Sequence, residues 1–222
     1  MKPTFSQKHP ILKDTLSLIF FIATIIIGAT LLNTFVYRSY NVVGGSMENT
    51  LHGDDRVIVN RLAVSIAHFN GQEFVPSRGQ VIVFANEDKV KIKDYQTSGT
   101  SDPITCHVPS GINDQYIIKR VIAFPGERVT VKDGTLTVYN KEYPEGFQPD
   151  LATRKSDADG PKAWTSGEID IVVPEGELFV SGDNREGSNS WDSRNGLGTV
   201  PYCRVIGPVV LRLFPFNKIR LF

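Results

Sequence analysis

A lone lysine on an otherwise apolar strand is the first place in this chain where chemistry could occur. Gln115–Glu127 reads Q-Y-I-I-K-R-V-I-A-F-P-G-E, the pattern of a buried β-strand closed by a Pro125-Gly126 turn. Side chains alternate along a strand. Ile117, Lys119, Val121 and Ala123 therefore share one face, and Tyr116, Ile118, Arg120, Ile122 and Phe124 the other. An ammonium held among aliphatic groups loses hydration, and its pKa falls. A lysine that is neutral at about pH 7 takes up protons and acts as a general base. The competing reading is an edge lysine whose amine reaches out to water.

Two further stretches carry reactive groups. Ser46 lies in V-V-G-G-S-M-E-N-T-L. The glycines ahead of it open backbone conformations closed to other residues and clear side chains from beside the hydroxyl. That suits a nucleophile with amides nearby to receive an oxyanion, although Gly-Gly-Ser is also ordinary turn chemistry. Ser181–Arg194 packs two Asp, one Glu, two Arg and four Ser into 14 residues. Opposite charges at that density predict an ion-pair network in a fixed turn. A solvated polar loop has the same composition.

Composition removes several functional classes. The 24 basic and 24 acidic residues balance, and no basic run or basic–aromatic stripe occurs, so nucleic acid is not an expected partner. His9, His52, His68 and His107 show no metal-ligand spacing. With only Cys106 and Cys203 beside them, neither a metal nor another cofactor is expected. Those two cysteines could pair in an oxidising compartment, but the sequence does not place them within bonding reach.

The elements that would position these groups begin with a membrane anchor. Thr15–Tyr37 carries no charge, and as a helix Leu16–Val36 spans about 32 Å at ~1.5 Å per residue. A bilayer's hydrocarbon core is roughly 30 Å thick. Lys2, Lys8 and Lys13 precede it, which places residues 1–14 in the cytoplasm, 15–37 in the bilayer and 38–222 outside. A cleaved signal peptide has a shorter apolar region, and no A-x-A-like site follows here. A buried helix of a soluble protein is the other rival. The remainder reads as mainly β. Short apolar strands are expected at Asn41–Val43, Arg56–Val59, Gln80–Phe84, Arg128–Lys132, Thr135–Tyr139, Ile169–Val173 and Leu178–Val180. Asp133-Gly134 marks a hairpin, and residues 86–111 and 142–167 are polar excursions. The glycine- and proline-punctuated pattern fits an antiparallel barrel or sandwich. Phe214, Phe216 and Phe222 fall in a C-terminal stretch read as a final core strand, with an interfacial aromatic patch as the alternative.

Taken together the stretches resemble the type I signal peptidase family of membrane-bound Ser/Lys proteases. The resemblance rests on the anchor, G-S-M at 45–47, the strand around Val57, Y-I-I-K-R-V-I-A-F-P-G-E at 116–127, and G-D-N-R with S-x-D-S-R at 182–194, in that order. It implies Ser46 as nucleophile and Lys119 as general base. It implies an oxyanion hole at the Ser46 amide and at Gly44, where some relatives carry a serine and this chain offers only backbone. It implies a serine that orients the lysine: counting from Gly182 selects Ser188, and counting back from Asp192 selects Ser190. Ser190 is preferred because it keeps the S-x-D-S-R spacing. Asp183, Arg120, Asp192 and Arg194 become supporting charges. Asn49 stands where many relatives have proline.

The substrate would be an exported precursor whose signal peptide lies extended between Tyr40–Val43 and Gln115–Ile118 as an added strand. Its −1 and −3 side chains would then face pockets lined by Val42, Met47, Leu51, Val57, Ile117 and Ile118. The implied protein is a monomeric, single-pass enzyme of the plasma membrane, of bacteria or an organelle of bacterial origin. Two rivals remain, a membrane-anchored β module that binds partners without catalysis and a self-cleaving Ser/Lys repressor of similar fold.

Overall fold

The structure is a computed structural model and describes residues 10–86, 116–150 and 164–222. Helix α1, Pro10–Leu31, runs on through a π-helical segment, Leu32–Val36. Ile11–Val36 is long and apolar enough to cross a membrane, with a mean hydropathy of 2.4 over its most apolar 18 residues, none of them buried in the protein. Three of its threonines are satisfied within the helix: the hydroxyls of Thr15, Thr24 and Thr30 donate to the carbonyls of Ile11, Phe20 and Ile26. Lys13 and Asp14 lie within this helix rather than ahead of it.

The chain then turns directly into strand β1, Tyr37–Asn41, followed by β2, Arg56–Asn60, helix α2, Leu62–Phe69, and β3, Val81–Ala85. Beyond residue 115 come β4, Tyr116–Ala123, β5, Arg128–Lys132, and β6, Thr135–Tyr139. Beyond residue 163 come β7, Ile169–Val172, β8, Glu177–Ser181, β9, Val200–Pro201, β10, Val205–Phe214, and β11, Arg220–Leu221. The large sheet runs β1-β2-β10-β3-β4-β8-β9 with β11 on β10, and the small one runs β6-β5-β7. Strand pairing among the described residues is antiparallel throughout. The mainly β, antiparallel expectation therefore holds.

Local sequence explains the elements. Val81–Ala85 is an unbroken apolar run, buried at every position, as a strand covered on both faces requires. β5 and β6 alternate buried and open positions. They are joined by Asp133 and Gly134, both with positive φ, at 51° and 77°. That is the mirror-image turn whose twist matches a hairpin, as Asp-Gly predicts. The strand expected at Asn41–Val43 is shifted: β1 is Tyr37–Asn41, fixed by its pairing of Tyr37 with Asn60 and Asn41 with Arg56. The sequence reading assigned nothing to α2.

β10 is a core strand in its first half, where Val205, Ile206 and Val209 are buried. The phenylalanines that follow are not core: Phe214, Phe216 and Phe222 are 45%, 72% and 40% exposed. Apart from Asn86, the excursion at 86–111 lies outside the described residues, as do Cys106 and 151–163 of the second excursion.

β10 serves both halves of the large sheet, pairing with β2 and β3. Its register shifts between Val205 and Gly207, and Gly207 has φ 154°. A side chain at Gly207 would run into the carbonyl oxygen of Asn60. Gly207→Ala is therefore expected to destabilise the fold by about 1–3 kcal/mol. Thermal melting in detergent measures this, and an unchanged Tm would show that the crossing tolerates a side chain.

Candidate active site

Lys119 sits where β4 changes its company. β3 pairs with β4 along Tyr116–Arg120, whereas β8 joins only from Arg120 onward. Among the described residues, the Tyr116–Lys119 half therefore has one edge without a partner strand. The Lys119 side chain is nonetheless buried, only 4% of the residue being exposed. Its Nζ lies 2.8 Å from Ser46 Oγ and donates to the Ile118 carbonyl at 2.9 Å. Burial pulls its pKa down to about 8; the carboxylates of Asp192 and Asp183 oppose the drop and the Arg194 guanidinium adds to it. The amine is thus half neutral at a mildly alkaline pH, beside a hydroxyl it can deprotonate.

Ser46 lies in the turn between β1 and β2, where Gly44 takes φ 81°. The segment after β8 grips this turn. Asn184 N–H donates to the Ser46 carbonyl and Asn184 Nδ2 to the Gly45 carbonyl, both at 3.0 Å. Gly182 permits the approach, because a Cβ there would overlap both Ser190 Oγ and the Ser46 carbonyl oxygen. Ser190 is fully buried beside Gly182, but among the described residues its Oγ finds no hydrogen-bond partner, and the bonds of Lys119 Nζ go to Ser46 and Ile118 instead. Ser188 is exposed. Gly44 presents only backbone.

The four expected charges form two pairs. Arg120 holds Asp183 through two bonds, Nε–Oδ1 at 2.7 Å and Nη2–Oδ2 at 2.5 Å. Arg194 holds Asp192 at 2.7 and 3.1 Å. Burial alone would raise the Asp192 pKa, but Arg194 and the Gly182 N–H hold it below the usual carboxylate range. Sequence reasoning missed other parts of this scaffold. Thr50 donates its hydroxyl to Asp183. Arg185, fully buried, donates to the Gly182 carbonyl at 2.5 Å and pairs with Asp150 at 2.7 Å.

A cleft of about 270 Å³ opens between the end of β1 and the unpaired half of β4. Val42, Val57, Ile117 and Ile118 line it as expected, together with Ser46 and Lys119. Met47 and Leu51, also expected there, are not among the lining residues; they pack in the core cluster that Val57 shares with the cleft. Tyr116, Val83 and Trp191 line it without having been foreseen as pocket residues. Trp191 had one signal in the sequence, its place beside Ser190. Tyr40 and Tyr116 meet edge to face at 5.0 Å, with the Arg38 guanidinium over both rings, and so tie β1 to β4 at one end of the cleft. Among the described residues no group of three His, Cys, Asp or Glu is placed to hold a metal.

Comparison with known proteins gives this arrangement its context. The family model described as signal peptidase, peptidase S26, matches residues 13–214. Signal peptidase I of Bacillus licheniformis is 32% identical over 86% of this chain and 84% of its own length. Another, from Bacillus amyloliquefaciens, is 34% identical over 86% of this chain and 84% of its own. A crystal structure of a signal peptidase I from Enterococcus faecalis V583 covers 62% of this chain and 98% of its own, at 27% identity and a TM-score of 0.36. The non-catalytic partner-binding module is thereby excluded. The chain belongs to the signal peptidase family, peptidase S26, and is an enzyme of that class.

Proposed function

We propose that this enzyme removes N-terminal signal peptides from exported precursor proteins with a Ser46/Lys119 dyad, while anchored in the plasma membrane by a single helix. The observation that carries the reading is the 2.8 Å approach of a buried amine to Ser46 Oγ at the head of the cleft. Neutral Lys119 takes the Ser46 proton as Oγ attacks the scissile carbonyl carbon. The oxyanion that forms faces the Ser46 amide and the backbone at Gly44. The lysine ammonium returns its proton to the departing amine. It then takes one from the water that hydrolyses the acyl-enzyme. Ser190 orients the amine, and the Arg120–Asp183 and Asp192–Arg194 pairs hold the two segments in place.

The precursor enters as a strand between β1 and the open half of β4, bonded through its backbone. Its −1 and −3 side chains then point alike into the apolar lining, which favours small residues such as alanine. The basic N-terminus keeps residues 1–14 in the cytoplasm and the catalytic body outside. The enzyme works as a monomer, without metal or other cofactor.

Ser46→Ala and Lys119→Ala are each expected to lower precursor cleavage in detergent by at least ~10²-fold, with circular dichroism unchanged. Lys119→Arg is expected to be equally inactive, because arginine does not deprotonate. Full activity in Ser46→Ala or Lys119→Ala overturns the dyad.

The proton balance sets a pH profile. The base works in its neutral form, so kcat/KM should rise about tenfold per pH unit and level off above about 8, where burial has brought Lys119. A profile already flat at about pH 6 contradicts a lysine base.

Ser190→Ala should cost about 10²-fold through a misplaced amine, with the apparent pKa of the profile shifted. Ser188→Ala should leave both unchanged. The reverse result would reassign the orienting serine.

A further inference from the structure

Helix α2 has an apolar face that no part of the described protein covers. Leu62, Ile66 and Phe69 stand at helical spacing on one side and are 43%, 52% and 92% exposed. Val64, on the opposite side, is buried at 4%. A short helix that points one large hydrophobe inward and three outward is built for two apolar environments, one of them outside the protein.

Its position says which. The Arg61 N–H, just ahead of α2, donates to the carbonyl of Val36, the last residue of the apolar rod, at 2.7 Å. Ser65 Oγ donates to the Phe35 carbonyl at 2.9 Å. These two bonds fix α2 against the end of the anchor. The 26 residues of Ile11–Val36 span about 39 Å at ~1.5 Å per residue. The hydrocarbon core takes roughly 30 Å of that, and the headgroup layers bring the bilayer to ~40–45 Å. Phe35 and Val36 therefore emerge at headgroup depth, and α2 is held there with them.

Phe214, the exposed phenylalanine that ends β10, lacks this placement. Tyr37 pairs with Asn60 at the anchor end of β2, whereas Phe214 pairs with Arg56 at the other end. That is about 13 Å further along at ~3.3 Å per residue.

We infer that α2 lies flat in the interface of the bilayer that α1 spans, with Leu62, Ile66 and Phe69 sunk among the lipid chains and His68 toward water. The inference rests on the membrane-anchor part of the proposed function. An in-plane helix bonded to the anchor's end removes the swivel that a single spanning helix leaves free. It thereby fixes the angle at which the cleft faces the membrane.

The test uses the full chain carrying Phe69→Trp, reconstituted in phosphatidylcholine/phosphatidylglycerol vesicles, with lipids brominated at shallow or deep positions. Cleavage of a short soluble peptide, unchanged from the parent, confirms the fold. Relative to the parent, whose own tryptophans are Trp164 and Trp191, the added emission should be blue-shifted. It should also be quenched more by shallow than by deep bromine. Water-like, unquenched emission overturns the inference. So does blue-shifted emission that neither lipid quenches, which would mean that protein, such as a second copy, covers α2. Vesicle flotation separates the two levels: a chain that floats but is unquenched removes only the α2 inference. A chain that does not float removes the anchor reading and this inference with it.

Discussion

One amine kept dry beside one hydroxyl is the constraint to which the rest of the molecule answers. Water would return Lys119 to its ordinary, permanently charged state, and a charged lysine accepts no proton. The sheet meets this demand at the seam of β4, where the strand has gained one neighbour and not yet the second. The side chain is enclosed while the backbone beside it stays open. Burial and access coexist within one residue because they are assigned to different atoms.

The charges around the site follow from the same constraint. Two carboxylates, Asp183 and Asp192, act on Lys119, and each pushes its pKa up. Left bare they would stabilise the ammonium and defeat the effect of burial. Each instead carries its own guanidinium, Arg120 or Arg194, and the Arg194 charge pulls the lysine pKa part of the way back down. Buried pairs of this kind contribute little net stability, but removing one partner strands the other, typically at about 3–5 kcal/mol. They set geometry: the segment from Ser181 to Arg194 is locked in the shape that lets Asn184 hold the Ser46 turn from outside.

Much of this was legible before the structure. Lys119 stood out because it interrupts an apolar strand, and Ser46 because two glycines precede it. Asp133-Gly134 announced its hairpin by turn chemistry alone. The groups that escaped notice share a physical character: their roles are created by contacts between distant parts of the chain. Thr50 meets Asp183 across 133 positions and carries no local pattern. Arg185 looked like one more charge in a polar run, and only its complete burial against Asp150 separates it from the rest. Tyr37–Asn41 reads Y-R-S-Y-N, with no apolar alternation, and becomes a strand because β2 pairs with it. Met47 and Leu51 lie in the core rather than on the cleft lining: an apolar residue near a cleft can point into it or beneath it, and spacing does not tell which.

The unfilled space between β1 and β4 has a consequence for timing. In the proposed reading a client must supply the missing stave, and only an extended stretch of several residues can do so. A compact domain keeps its backbone groups occupied within itself and offers none. The enzyme then needs no list of forbidden sequences to leave finished proteins alone. The conformational state of the passing chain is the gate, and the moment of cutting is the interval between leaving the lipid and folding.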